Sequence, residues 1–265
     1  MPPPVILAGP TGTRLMEIGF DCDADVRWSA RAVDEAPQLV AQIHREYAAA
    51  GAGIHPTVTF RTTPGYVGDR WQELTRRAVQ LCRESIEPGQ RVAGALAPLG
   101  DCYKPDPSLT PLAARQAHAP MARELADAGC DLILCETFPG DEGVWAAEAA
   151  ATAGAREIWV SFTPGPRCDL LTAREVADLA ERAAEPAEAV LVNCLPAWQA
   201  LEYVRAMVKA IGDRKQVGVY ANVHGANAMS PDAYARLAAV WRDAGASIIG
   251  VCCGGGPEHV HALRG

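Results

Sequence analysis

Apolar residues along this chain gather in eight short runs spread over its whole length, at residues 5–8, 53–60, 91–96, 131–135, 157–162, 189–193, 216–220 and 247–251. Each run is mostly apolar and not strictly alternating, as expected of strands buried on both faces of a parallel sheet. Between them lie alanine-rich stretches with apolar positions at helical spacing: 37–50, 71–85, 112–128, 144–153, 173–184, 198–211 and 231–244, with a short last one from Pro257. Their ends are punctuated. Ser230-Pro231 reads as an N-cap followed by proline at the first helical position. Gly51, Gly129, Gly154, Gly212 and Gly245 fall where helices must stop.

Strand–helix alternation predicts a parallel sheet. Eight units in 265 residues, about 33 residues each, predict an α/β fold that closes into a single (β/α)8 TIM barrel. An open doubly wound sheet is the alternative, but no Gly-x-Gly-x-x-Gly turn follows the first run. Residues 1–265 read as one domain. The Pro/Gly-rich segments 63–68 and 98–111 follow strands, and in a barrel such loops build the active face.

Charge narrows the partners. The formal net charge is −8, from 32 acidic and 24 basic residues with no basic block. That argues against nucleic acid or an anionic membrane as the main partner and says nothing about small substrates. The N-terminus lacks a basic segment and an apolar stretch of signal-peptide length, and no window suits a membrane span, so a cytoplasmic location is expected. In a reducing compartment the nine cysteines are not a disulfide framework, and most should be buried as small hydrophobes. Oligomeric state is open.

Two constellations stand apart. Residues Val190-Leu191-Val192-Asn193-Cys194-Leu195-Pro196 place a cysteine where a strand ends. So do residues 249–259, where Cys252 and Cys253 are followed by Gly254, Gly255 and Gly256. Adjacent strand residues point oppositely, so both cysteines reach one centre only if the backbone turns there, which the glycines allow. Three thiolates from the tops of strands six and eight make a zinc site with a fourth position open. The bland reading is packing, to which Cys194 alone would belong; Gly-Gly-Gly gives a core strand nothing. Cys82, Cys130 and Cys135 read as core, and Cys22, Cys102 and Cys168 as loop residues.

Asn193-Cys194 with Pro196 behind it, and Cys252-Cys253-Gly254 running into Pro257-Glu258-His259 58 residues after Cys194, resemble the zinc-dependent homocysteine S-methyltransferase family. The segments 9–15, 92–100, 132–137, 159–163 and 220–222 resemble that family's strand motifs in the same order, over nearly the whole chain. The resemblance implies a (β/α)8 barrel, Zn2+ held by Cys194, Cys252 and Cys253, and Glu136, Gly9 and Asn222 at the substrate. It implies transfer of a methyl group from a sulfonium donor, S-methylmethionine or S-adenosylmethionine, to the homocysteine thiolate, giving methionine. The metal activates the thiol, so no catalytic residue beyond its ligands is nominated. Trp28, Tyr66 and Trp71 are candidates for a π face toward a cationic donor, and His259 reads as a solvated or capping residue.

The chain also departs from the family pattern. Ala8-Gly9-Pro10 stands where the family has Asp-Gly-Gly, and Val58 where asparagine is common. Alanine cannot hold an amino group and Pro10 has no N–H to offer a carboxylate. Another thiol or selenol acceptor, or a non-catalytic zinc-binding barrel, are the alternatives. Oxidation of the adjacent thiols as a redox switch is a weaker one.

Overall fold

The computed structural model describes residues 3–225 and 228–265. Its eight strands are β1 (Val5–Ile6), β2 (Ile54–Pro56), β3 (Arg91–Leu96), β4 (Leu132–Phe138), β5 (Ile158–Phe162), β6 (Ala189–Pro196), β7 (Gln216–Asn222) and β8 (Ile248–Val251). All neighbours are parallel, in the order β1-β8-β7-β6-β5-β4-β3-β2. A single bridge from Leu7 to Ile54 joins β1 to β2 and completes the ring. The expected (β/α)8 TIM barrel is the fold.

Strand periodicity sorts the core into two layers. Leu7, Ile54, Ala93, Leu132, Leu134, Trp159, Ala189, Leu191 and Ile248 fill the barrel interior. Their odd-numbered or even-numbered neighbours, among them Ile133, Val160, Val190, Val219 and Ile249, face outward against the helices. The large Trp159 ring is 1% exposed, and its indole N–H donates to Glu157 Oε1 at 2.7 Å. Cys82, Cys130 and Cys135 lie in the outer layer, as expected of thiols that serve as small hydrophobes.

Around the sheet, in chain order, run α1 (Thr11–Glu17), α2 (Trp28–Glu35), α3 (Pro37–Ala50), α4 (Pro64–Val67), α5 (Trp71–Ser85), α6 (Pro111–Asp127), α7 (Glu142–Thr152), α8 (Ala173–Ala183), α9 (Ala200–Ile211), α10 (Pro231–Asp243) and α11 (Pro257–Ala262). Ser230 caps α10, its hydroxyl accepting from Ala233 N at 3.3 Å. Gly51, Gly129, Gly154 and Gly245 end their helices with positive φ, whereas Gly212 stops α9 at φ −58°. No helix among the described residues is long and apolar enough to cross a membrane.

Some boundaries differ from the sequence pattern. The run 53–60 is strand only at Ile54–Pro56, because the Thr57 and Thr59 hydroxyls bond each other and the β3 backbone in place of a ladder. α1, α2 and α4 occupy stretches with no full helical pattern, each short enough for tertiary packing to decide. β4 and β6 run further than their apolar cores, and those extensions position the site.

Candidate functional site

The upper end of β6 breaks the two-residue period. Leu191 faces in and Val192 out, so Asn193 should face in and Cys194 out. Instead Cys194 adopts φ +54°, the pairing with β7 shifts between Asn193 and Pro196, and Cys194 joins the interior set. Cys252 needs no such device, since it follows Ile248 and Gly250 on the inward face of β8. Cys253 comes next, and the chain turns at Gly254, whose φ is +83°. A Cβ on Gly254 would lie 2.9 Å from the backbone N and Cα of His224, so only glycine fits. The glycine run thus brings both vicinal cysteines to one centre.

The result is a cluster of three sulfurs all within 4.8 Å of one another. Cys194 Sγ is 2.9 Å from Cys252 Sγ, and Cys252 Sγ is 3.9 Å from Cys253 Sγ. Zn–S bonds of about 2.3 Å in tetrahedral geometry place sulfurs roughly 3.8 Å apart. One pair already has that spacing and the other would open by about an ångström. Hydrogen bonds from Cys194 and Cys252 hold the Cys253 thiol well below its ordinary value. The Cys194 thiol is pushed up by its bonds to Cys252 and Cys253 and by burial. Cys252 is raised as well, because its bond to Cys253 and burial outweigh the bond it receives from Cys194. Such a trio carries one negative charge readily and three only beside a cation, so the donor set fits a thiophilic divalent metal.

The sulfurs lie on the wall of a cavity of about 450 Å³ at the mouth of the barrel. Glu136 is also on this wall, half-buried. It lies within β4, just ahead of Thr137, whose φ is +66°. Burial pushes its carboxyl up to about 7, against the hydrogen bond from the Tyr220 hydroxyl to Oε1 at 3.3 Å. Gly9 reaches the cavity too, with Ala8 and Pro10 beside it. A Cβ there would stand 2.5 Å from the Tyr47 ring, so Gly9 is required by packing whatever its amide does. Asn222 is buried at the end of β7 with Oδ1 unpartnered, and it is not among the cavity residues.

Of the three aromatic candidates, only Trp28 lines the cavity, stacked on Phe60 with ring centroids 6.3 Å apart. Tyr66 instead covers the Arg61 guanidinium at 4.7 Å, and Trp71 packs on the outer core. Arg61 is 6% exposed and donates to the carbonyls of Pro98 and Gly100, so it holds the loop after β3. His259 is buried and not solvated; its Nδ1 accepts from Gly256 N at 3.2 Å, the capping alternative.

Several cavity residues carry no signal of their own in the sequence. Tyr220 lies on β7, and Tyr103, in the Pro/Gly-rich segment after β3, packs against the interior cluster that contains Cys194 and Cys252. Cys22 and Cys102 line the same cavity. Their loop positions held no periodicity from which to read a direction.

Comparison with known proteins agrees with this geometry. A homocysteine S-methyltransferase of Escherichia coli is 28% identical over 98% of this chain and 94% of its own length. An S-methylmethionine–homocysteine S-methyltransferase of Mus musculus is 28% identical over 89% of this chain and 71% of its own. The crystal structure of the metallated form of the Escherichia coli homocysteine methyltransferase superposes with a TM-score of 0.85 at 26% identity, covering 98% of this chain and 95% of that one. The model of the family described as homocysteine S-methyltransferase matches residues 5–265, and the chain therefore belongs to the homocysteine S-methyltransferase family.

Proposed function

We propose that this protein is a zinc-dependent S-methyltransferase that moves a methyl group from a sulfonium donor, S-methylmethionine or S-adenosylmethionine, to homocysteine. The observation that carries this reading is the convergence of three thiols and a carboxylate on one cavity. Cys194, Cys252 and Cys253 would hold the zinc. Bound there, the metal lowers the pKa of the acceptor thiol and keeps it as a thiolate near neutral pH.

The remaining roles belong to this chain's own groups. Glu136, ionised, receives the acceptor's ammonium, and the backbone at Gly9 its carboxylate. The thiolates and Glu136 make the cavity anionic, which favours a cationic donor, and the Trp28 face offers it a further attraction. The acceptor sulfur attacks the methyl carbon as the donor's carbon–sulfur bond breaks. Both products are neutral thioethers at sulfur, so no proton need move in that step.

A second acceptor is favoured by one specific observation. Ala8 and Pro10 line the cavity where the family pattern has an aspartate and an N–H donor, so another thiol or selenol would lose less there than homocysteine. A zinc-loaded protein incubated with S-methylmethionine and homocysteine is expected to release methionine. Zinc absent from freshly prepared reduced protein, or no product from any homocysteine-like thiol with either sulfonium donor, would overturn the reading.

A further inference from the structure

Two strand ends in this barrel break the same rule in the same way. In β4, Leu134 faces in and Cys135 out, and Glu136 lines the cavity. Thr137 then takes φ +66° and also lines the cavity, and Phe138 returns to the outer core. In β6, Asn193 should face in, Cys194 at φ +54° does so as well, and Leu195 returns to the outer core. The left-handed region is costly for any residue with a Cβ and more so for a β-branched one. Such strain persists only where the surroundings over-determine it.

What surrounds both kinks is one continuous run of hydrogen bonds. Asn193 Nδ2 donates to Thr137 Oγ1 at 2.7 Å. Thr137 N donates to Ser161 Oγ at 2.9 Å. Ser161 Oγ and the Tyr220 hydroxyl are 2.6 Å apart, and Tyr220 donates to Glu136. Since the Tyr220 proton is directed to Glu136, the Ser161 proton serves Tyr220, and the Ser161 and Tyr220 hydroxyls are each used once as donor and once as acceptor. Asn193, Thr137, Ser161 and Tyr220 are all buried. The run begins beside Cys194, crosses β4, β5 and β7, and ends on Glu136. Neither Asn193 nor Ser161 lines the cavity.

We propose that Asn193 and Ser161 are positioning residues that couple the metal-binding thiol of Cys194 to the acceptor-binding carboxylate of Glu136. The inference rests on the transferase reading for the role of Glu136. Mechanically, Asn193 ties the two kinks together, and Ser161 passes that constraint to the tyrosine that orients the carboxylate. Partners bonded directly to metal ligands commonly change metal affinity roughly 10–100-fold when removed, and these residues, a backbone link or more further out, are expected at the low end of that range.

The test uses Ser161→Ala and Asn193→Ala in the full chain, with three measurements. Zinc affinity, by competition with a chromophoric chelator, is expected to fall about tenfold in each. The d–d bands of the cobalt(II)-substituted protein are expected to shift, and homocysteine binding at saturating zinc to weaken several-fold. A lowered thermal midpoint with wild-type affinity and an unmoved cobalt spectrum would make these residues ordinary core polar groups and overturn the proposal. So would a metal effect with unchanged homocysteine binding. If either variant fails to fold, Tyr220→Phe, which keeps the ring and removes one hydroxyl, decides in its place by the same criteria. The metal measurements need neither donor nor acceptor. Wild-type protein that binds zinc but not homocysteine would sink the acceptor assignment alone; the coupling is then read from the metal side, where Glu136→Gln should move the cobalt bands of the intact run, and an unmoved spectrum would overturn it.

Discussion

The two halves of the cavity are built differently. The β6–β8 half carries three thiols, a left-handed kink at Cys194 and a glycine turn that tolerates no side chain, each required by the position of a sulfur. The β1–β2 half carries Ala8, Pro10 and Val58 beside the hydroxyls of Thr11, Thr13 and Thr57, with the exposed Asp23 as its charged side chain. One half gathers three thiols that could hold a metal. The other presents apolar groups at Ala8, Pro10 and Val58 and a glycine that Tyr47 demands, with threonine hydroxyls beside them. On the transferase reading, the contrast separates what would activate a thiol from what would choose which thiol enters.

The largest effect expected concerns the first half alone. Cys252→Ala should abolish stoichiometric zinc and methyl transfer together while leaving the barrel folded, as metal analysis and circular dichroism would check. Loss of the fold with the zinc would make the site structural. Chelation of the wild-type metal should do the same reversibly, with activity restored by zinc.

Next comes a change that would restore the second half. Ala8→Asp returns a carboxylate to the cavity wall. A charge-assisted hydrogen bond to an ammonium should lower the KM for homocysteine by about tenfold or more, with kcat nearly unchanged. An unchanged KM would mean that the natural acceptor makes no use of that position.

Acid should also distinguish the halves. His55 on β2 and His44 on α3 are buried with ring centroids 6.3 Å apart. Burial holds them neutral, down to about 4 for His55 and about 3 for His44. Both values lie below the unfolded one of about 6.5, so between pH 6.5 and 4 the unfolded chain binds more protons than the native one. Stability should fall with pH there, by about 1.4 kcal/mol per unit for each histidine still neutral in the fold. Thermal midpoints across that range, with His44→Leu reducing the slope, would check it. A flat profile would show that these groups do not limit acid stability.

Much of the fold could be read directly from the chain, because burial on both faces leaves a plain record in sequence. Runs such as 189–193 and 247–251 are long enough, and apolar enough, to announce a strand. The cysteines were legible for a chemical reason, since a vicinal pair before three glycines has no use in a core. The kinks at Thr137 and Cys194 were not. A left-handed residue other than glycine is imposed by its neighbours across strands, and the bonds that impose it join residues as far apart as Thr137 and Asn193. Tyr103, Cys22 and Cys102 were hidden for a related reason, since a loop side chain's direction is set by what lies beneath the loop.

The ring is laced unevenly. β6 and β7 share six paired positions, whereas β1 meets β2 through one bridge. That thin seam runs beneath the wall of the cavity that carries Ala8, Pro10 and Val58. β1 is also laced to β8, the strand that leads into Cys252 and Cys253, whereas β2 pairs with β3 on its far side, so the two sides of the seam differ in how near they stand to the thiols. On the transferase reading, a barrel so arranged would trade one acceptor for another through mutations on the β2 side of its seam, while the strands that carry the thiols stay laced to their neighbours.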